Sequence, residues 1–493
     1  MPPSEDRLQQ ALNHSALARQ QGDWQHAWQS LRLALQQDTE AWPLYAARAE
    51  LLTDLGQSAA AEAEISQAHA LASAQHAEPL QLSRLQSRQI VLRWSHAKAF
   101  SQVAELLQSF ASAHPPTAQP TNQPITPPAQ RARPRLGYLS PDLRRCSAGM
   151  FLSRYFALHP QTDFELYLYS LVQSPDPVQQ AFQSHFSAQG VPWRDLSGLT
   201  LNEASTVIAT DQPDILVDLA GHTSASGLAL LAQQLAPVQV SGLTFNGPVG
   251  LPQVPWRFGD RASTAEPWPG ETLLPLPGWI YLPQPLPVAG KDAASVPVTG
   301  YRLGCAHHPG RLSPQTLALW AEILQAAPQT SLHLKHRLYQ HEACRQALTQ
   351  ALQDHGIAPE RLHFEGDSDY PDYLRFYTRL DCVLDPFPYQ GGLVSCDALW
   401  MGLPLVTHVQ PGWPAGGASL LQAVALNEGI AYSPADYLAK TLAILTDQAL
   451  RQHCARSLRQ RVQNSWIGQP NRFVAGCMHH LQLLTAQGGL HAS

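Results

Sequence analysis

The sequence predicts an α/β protein, with two parallel-sheet domains preceded by a short all-α repeat region. Three observations carry this. A five-position pattern recurs near the amino terminus, short apolar runs alternate with helix-length segments from residue 135 onward, and two proline-rich stretches punctuate the chain at 114–134 and 267–297. With 493 residues, 44% of them hydrophobic, the chain has material for sizeable cores, enough for roughly two to four domains.

The repeat comes first. Leu17, Gly22, Ala27, Leu31 and Ala34 recur as Leu51, Gly56, Ala61, Ile65 and Ala68, each pair 34 apart. That is the period of tetratricopeptide helix pairs. Gly22 and Gly56 fall where a left-handed residue closes the first helix of each pair. Ala27 and Ala61 are small enough for the two helices to pack closely. The other reading is an ordinary helical hairpin with a chance period. A third helical stretch, 80–110, caps the array and completes a helical region over 1–112. Two repeats are fewer than a free-standing solenoid needs, so the region is expected to lean on its neighbour.

Residues 113–134 read as an extended linker. Pro115, Pro116, Pro120, Pro124, Pro127, Pro128 and Pro134 alternate there with Thr, Gln and Ala, and proline removes backbone donors and disfavours helix before it. Beyond it, candidate strands lie at 136–139, 166–169, 215–219, 238–243, 302–305, 332–334, 362–364, 382–384 and 405–407. Helical stretches such as 314–327 and 341–355 lie between them. Such β-α alternation indicates parallel sheets with helices on both faces. The second proline-rich stretch divides the region into domains at 135–290 and 299–485.

Composition excludes several classes. Net charge is −6, charged residues are 14%, and the lysines are Lys98, Lys291, Lys335 and Lys440 alone. No basic run exists to bind nucleic acid or an anionic membrane. The seven cysteines are scattered without CxxC spacing, against a disulfide scaffold or a structural zinc site. The polar start Met1-Pro2-Pro3-Ser4-Glu5-Asp6 is no signal peptide. No apolar run approaches the ~20 residues of a membrane span. A cytoplasmic protein is expected.

The stretch richest in chemistry is Asp385-Pro386-Phe387-Pro388-Tyr389-Gln390-Gly391-Gly392. It follows the apolar run Cys382-Val383-Leu384 and precedes the helix-like Asp397-Ala398-Leu399-Trp400-Met401. A strand that ends in a Gly-Gly turn and opens into a helix can hold a phosphate on backbone N–H groups and the helix N-terminus. Open parallel sheets bind ligands beyond the carboxyl ends of their strands, where this stretch is placed.

Five segments in order resemble glycosyltransferase family 41, the O-linked N-acetylglucosamine transferase and SPINDLY group. They are Arg135-Leu136-Gly137-Tyr138-Leu139-Ser140-Pro141-Asp142, then Asp214-Ile215-Leu216-Val217-Asp218-Leu219-Ala220-Gly221-His222-Thr223, then Leu312-Ser313-Pro314-Gln315-Thr316, then 385–392 with Asp397-Ala398-Leu399-Trp400-Met401-Gly402-Leu403-Pro404, and Gly417-Ala418-Ser419-Leu420-Leu421. The resemblance covers roughly residues 133–480. It implies a GT-B fold: two Rossmann-like domains with a nucleotide sugar between them, the first on the acceptor side and the second on the nucleotide-sugar side. It also implies inverting transfer of N-acetylglucosamine, fucose or glucose from a UDP- or GDP-linked donor to protein side chains. No metal or other cofactor is expected, and the tetratricopeptide repeats present the polypeptide acceptor.

The resemblance also assigns residues. Arg311 stands where the family has a lysine that neutralises the diphosphate. Arginine keeps the charge, although a solvated arginine before a helix is the other reading. Gly391 and Gly392 form the turn, but Leu393 and Val394 replace two threonines that bond the diphosphate. Asp397 matches the acid that holds the ribose hydroxyls; alternatively it is a helix N-terminal acid stabilised by the dipole. His222, after the strand 215–219, is read as catalytic or as structural. His307 and His308 replace an Asn-Asn stretch, and being adjacent they should point apart. Tyr373 replaces a base-recognition histidine, Ala415 an arginine, and Cys146 the family's best-known histidine. A thiol is a poor base at neutral pH. Two functions therefore stand: an active, divergent protein glycosyltransferase, or a non-catalytic relative whose fold and repeats bind a protein partner.

Overall fold

Two parallel sheets organise the chain beyond residue 134. A computed structural model describes residues 5–115, 133–160, 162–223, 225–264, 268–288 and 300–486. The first sheet holds β1 (Arg135–Ser140), β2 (Glu165–Ser170), β3 (Trp193–Asp195), β4 (Ile215–Asp218), β5 (Val238–Ser241), β6 (Trp256–Gly259) and β7 (Thr272–Pro275), in the order β3-β2-β1-β4-β5-β6-β7. The second holds β8 (Arg302–Cys305), β9 (Ser331–Lys335), β10 (Leu362–Glu365), β11 (Cys382–Leu384), β12 (Leu405–His408) and β13 (Ile430–Ala431), in the order β10-β9-β8-β11-β12-β13. Every neighbouring pair is parallel.

Central strands such as β1, β4 and β12 are buried almost throughout. Helices cover both faces of such sheets, which is why these strands read as apolar runs without alternation. All nine expected strands are present. β3, β6, β7 and β13 are additional. In both sheets the winding reverses beside the first strand, between β1 and β4 and between β8 and β11. That is the dinucleotide-fold order, whose ligand crevice lies at the reversal.

The amino-terminal helices form pairs: Glu5–Gln21 with Trp24–Gln37, then Trp42–Asp54 with Ser58–Ala74. Gly22 and Gly56 close the first helix of each pair at φ +80 and +78, in the left-handed region that glycine adopts without strain. Ala27 and Ala61 are completely buried, as the small-residue spacing predicts. The third helical stretch is itself a pair, Pro79–His96 and Ser101–Ala113.

The expected leaning on a neighbour is visible as a shared core. Trp24, Leu31 and Leu44 belong to one hydrophobic cluster with Leu303, Trp320 and Leu332 of the second sheet and its helices. The compact units therefore differ from the linear division 1–112, 135–290 and 299–485. One unit comprises Met1–His76, Val91–Val103 and Pro285–Ser465; the other comprises Ala77–Ile90, Ala104–Gln284 and Trp466–Ser493. The last helix, Pro470–Ala486, falls in the other unit because Phe473 packs on Tyr281 and Phe151, with ring centroids 5.0 and 5.7 Å apart. Of the expected linker 113–134, residues 116–132 lie outside the described residues. Among the described residues no helix is long and apolar enough to cross a membrane.

Candidate functional site

The reversal point of the second sheet gathers most of the expected residues. The loop after β11 begins at Asp385, which is fully buried. Its Oδ1 accepts the Gly391 N–H at 2.8 Å and its Oδ2 accepts the Thr407 hydroxyl at 2.8 Å, so the carboxyl folds the loop back on itself. Burial pushes the Asp385 carboxyl up to about 7, against the bonds from Thr407 and Gly391 that favour its charged form. A Cβ at Gly391 would stand 2.4 Å from His307 Nε2 and 2.4 Å from Ser395 Oγ. Glycine is required there by close approach. Its N–H is committed to Asp385, so the free donors of this turn lie further on, in the first turn of the helix Leu393–Trp400 that Gly392 caps.

The Ser-Pro-x-Thr segment has a structural role in this loop. Ser313 caps the helix Pro314–Ala326 by accepting the Thr316 N–H at 3.0 Å. The Thr316 hydroxyl donates to the Phe387 carbonyl at 2.7 Å and accepts the Phe387 N–H at 3.1 Å. One short motif thus starts a helix and anchors the candidate phosphate loop.

His307 follows β8 and is buried. Its Nδ1 meets Cys305 Sγ at 3.3 Å. Its Nε2 stands 3.5 Å from Asp385 Oδ1 and makes no hydrogen bond among the described residues. Burial, then the nearby Arg311 charge, lowers its pKa to about 3, so the ring is neutral. His308 turns the other way, its Nε2 3.6 Å from Asp54 Oδ1. The adjacent histidines do point apart.

Arg311 ends the short 3-10 helix Pro309–Arg311. Its guanidinium carbon lies 4.1 Å from the centroid of the Tyr389 ring, a cation–π stack that fixes the planar group without neutralising it. Arg311 is half-buried and makes no ion pair among the described residues. Tyr389 in turn contacts Trp94, with centroids 6.4 Å apart.

Asp397 is buried on the helix Leu393–Trp400 and accepts the Tyr370 hydroxyl at 2.7 Å. Burial raises its pKa to about 7, against hydrogen bonds from Tyr370 and Tyr373. Tyr373 also pairs with the Tyr377 hydroxyl at 2.7 Å. A ribose at Asp397 would share or displace the Tyr370 bond. Leu393 is buried and Val394 is half-buried, and neither carries a hydroxyl. Ala415 caps the helix Gly416–Ala423 with no side-chain bond.

The remaining expected residues lie in the other unit, at the reversal point of the first sheet. Asp218 ends β4 and accepts the N–H groups of Gly221 at 2.7 Å and Ala220 at 3.3 Å. His222 is completely buried; its Nδ1 meets the Ser87 hydroxyl at 3.1 Å and its Nε2 the Val249 carbonyl at 3.0 Å. The second contact requires an Nε2–H, so Nδ1 accepts from Ser87. Burial lowers the pKa of His222 to about 3. The expected catalytic imidazole has, as placed, no free ring nitrogen. Cys146 caps the helix Ser147–Leu158, its Sγ accepting the Gly149 N–H at 3.2 Å. Burial, then Asp142, raises the thiol to about 11. It is protonated at neutral pH, in line with its expected weakness as a base.

Sequence reasoning missed Tyr389 and Asp385 as working residues, although both lie in the stretch it singled out. It also missed Tyr370, 27 positions before Asp397, for which no local signal exists. No group of three or more His, Cys, Asp or Glu side chains fit to hold a metal ion occurs among the described residues.

Comparisons with known proteins bear on the fold and the family. Residues 308–474 match the family model described as Glycosyl transferase family 41. The probable UDP-N-acetylglucosamine–peptide N-acetylglucosaminyltransferase SPINDLY of Solanum lycopersicum is 29% identical over 355 residues, covering 69% of this chain and 37% of that protein. Its namesake in Arabidopsis thaliana is 28% identical over 350 residues, covering 69% and 38%. The chain thus spans little more than a third of the length of these curated relatives. A mutant Thermobaculum terrenum O-GlcNAc transferase superposes with a TM-score of 0.83 at 24% identity, covering 100% of both chains. That likeness establishes the fold, GT-B with a helical repeat region. The motifs, the fold and these relatives together support placing the chain as a SPINDLY-like member of glycosyltransferase family 41.

Proposed function

We propose that this protein is an inverting, metal-independent glycosyltransferase. It moves N-acetylglucosamine, fucose or glucose from a UDP- or GDP-linked donor to serine or threonine hydroxyls of a polypeptide bound by its helical repeats, in the cytoplasm. The observation that carries the reading is Arg311. It is a half-buried cation stacked on Tyr389 and without an ion-pair partner among the described residues, beside a glycine turn that opens a helix. The printed names of the relatives, peptide N-acetylglucosaminyltransferases, support the transfer to protein.

In the proposed step the acceptor oxygen bonds the anomeric carbon as the bond to the diphosphate oxygen breaks. The electron pair leaves with the nucleoside diphosphate, and the hydroxyl proton passes to the departing diphosphate or to solvent water. Arg311 and the N–H groups that open the helix Leu393–Trp400 stabilise the leaving charge. Asp397, with Tyr370, orients the ribose.

A second reading, a binding module without turnover, has specific support. Leu393 and Val394 supply no hydroxyl, the Cys146 thiol is protonated, and both His222 nitrogens are engaged. One set of measurements tests both. Calorimetry with UDP and GDP on the full chain should detect binding, and Arg311→Ala should weaken it at least about tenfold, the loss of one charge-assisted contact. Unchanged affinity in Arg311→Ala would sink the diphosphate reading. A nucleotide-sugar hydrolysis and transfer screen read by mass spectrometry decides turnover: binding without any turnover selects the second reading.

A further inference from the structure

The three-residue turn that carries Arg311 has little rigidity of its own. Its internal bonds are Leu312 N–H to the Pro309 carbonyl at 2.9 Å, Arg311 N–H to the His308 carbonyl at 2.9 Å and Gly310 N–H to His308 Nδ1 at 3.0 Å, and so short a 3-10 segment takes its shape from its surroundings. Those surroundings are the second helical pair. The Ser58 hydroxyl donates to the Gly310 carbonyl at 2.7 Å, with both groups buried. A Cβ at Gly56 would stand 3.3 Å from the Pro309 carbonyl oxygen, and one at Gly310 would stand 2.9 Å from both Thr53 Cγ2 and the Thr53 carbonyl oxygen.

Asp54 holds the start of the turn. Its Oδ1 faces His308 Nε2 at 3.6 Å and its Oδ2 accepts the Arg19 Nε–H at 2.6 Å. Burial would push the Asp54 carboxyl up, but the nearby His308 and the bonded Arg19 outweigh it and hold the group at about 2, ionised throughout the neutral range. Gly310 is therefore held by Ser58, His308 faces Asp54, and Gly56 leaves little room beside Pro309. These contacts, separated by 252 positions for Ser58 and Gly310, come from a repeat expected to lean on its neighbour and to present an acceptor, but not to shape the donor site.

We propose that Asp54 and Ser58 are positioning residues for Arg311, so that the second helical pair is a structural part of the diphosphate site. The inference rests on the reading of Arg311 as the diphosphate cation. It adds that the repeat region contributes to donor affinity without touching the donor.

The test is a double-mutant cycle on the full chain, with UDP and GDP affinities read by calorimetry. Ser58→Ala should weaken binding of the nucleotide about fivefold to tenfold, the effect of one buried hydrogen bond on the group it holds. In the Arg311→Ala background the same substitution should change affinity less than about twofold, because coupled residues are non-additive. Ser58→Thr, which keeps the hydroxyl, should restore most of the affinity. Asp54→Asn, nearly isosteric, should show the same dependence on Arg311 and serves where Ser58→Ala does not fold. An equal loss in both backgrounds would mean a general structural role and overturns the proposal, as would no loss at all. Wild-type affinity in Arg311→Ala alone would instead remove the diphosphate reading on which the proposal stands.

Discussion

The two sheets put the same topological feature to different use. In each, the fourth strand delivers a buried aspartate that pins its own following loop. Asp218 ends β4 and takes the N–H groups of Ala220 and Gly221, whereas Asp385 follows β11 and takes those of Gly391 and the Thr407 hydroxyl. Burial pushes both carboxyls up to about 7. Each reversal point also carries a buried, neutral histidine. His222 spends both nitrogens on Ser87 and Val249. His307 leaves Nε2 without a hydrogen bond and stands near an arginine that has no ion pair among the described residues. The shared topology makes both places competent to hold a ligand. The half-buried Arg311 without an ion pair among the described residues, not the fold, singles out the second sheet.

The largest expected effect breaks this contrast if it fails. His222→Ala removes a buried ring and leaves the Val249 carbonyl unpaired, which should cost about 2–4 kcal/mol of stability. Nucleotide affinity of the folded variant should be unchanged. A urea titration and calorimetry on the same sample check this. A normal unfolding midpoint with lost nucleotide binding would show that His222 acts on the ligand after all.

A smaller effect sharpens the likeness between the two aspartates. The Asp385 carboxyl has an ordinary value of 3.8 and a folded value of about 7. Between these the folded protein holds a proton that the unfolded chain has lost. Its contribution is therefore fully present below 3.8 and is lost as pH rises toward 7. Buried histidines such as His307, lowered to about 3 by burial, contribute with the opposite sign up to their ordinary value of 6.5, so the informative quantity is the difference between variants. Asp385→Asn should remove about 1 kcal/mol per pH unit of that decline between pH 5 and 6.5, read as the change in urea midpoint. Identical pH slopes in variant and wild type would mean that Asp385 is ionised in the folded protein throughout.

The sequence made the frame of this site readable for a physical reason. Doubly covered strands such as β1, β8 and β11 must be apolar, and glycine turns such as Gly22 and Gly56 have no substitute at φ near +80. β6 was hidden because Arg257 interrupts its apolar run; in the folded protein that arginine is buried and paired with Glu271 at 2.9 Å. β3 and β13 run three and two residues, too short to show a pattern. At the candidate site, Asp385, Tyr389 and Gly391 sit within one local motif and could be found together. The Asp54–His308 and Ser58–Gly310 contacts join distant segments, and no spacing rule in a single sequence reveals such a pairing. Adjacent His307 and His308 were legible only as far as their divergence, not in what each would face.

The smallest expected effect concerns Cys146, the position where the resemblance leads one to expect a histidine. In the structure its sulfur is a helix cap. It accepts the Gly149 N–H at 3.2 Å from an extended backbone, φ −158 and ψ 172. Sulfur is a weak acceptor, whereas serine is among the best N-caps. Cys146→Ser should therefore raise stability by about 0.5–1 kcal/mol, seen as a higher urea midpoint with an unchanged slope. Nucleotide affinity should stay as it was, because the thiol, raised to about 11, has no charge to lose. A destabilised serine variant would mean that the sulfur is held by packing rather than by the cap. Altered nucleotide binding would show that the first sheet's reversal point also reaches the ligand, and the contrast between the two sheets would then fail on this side.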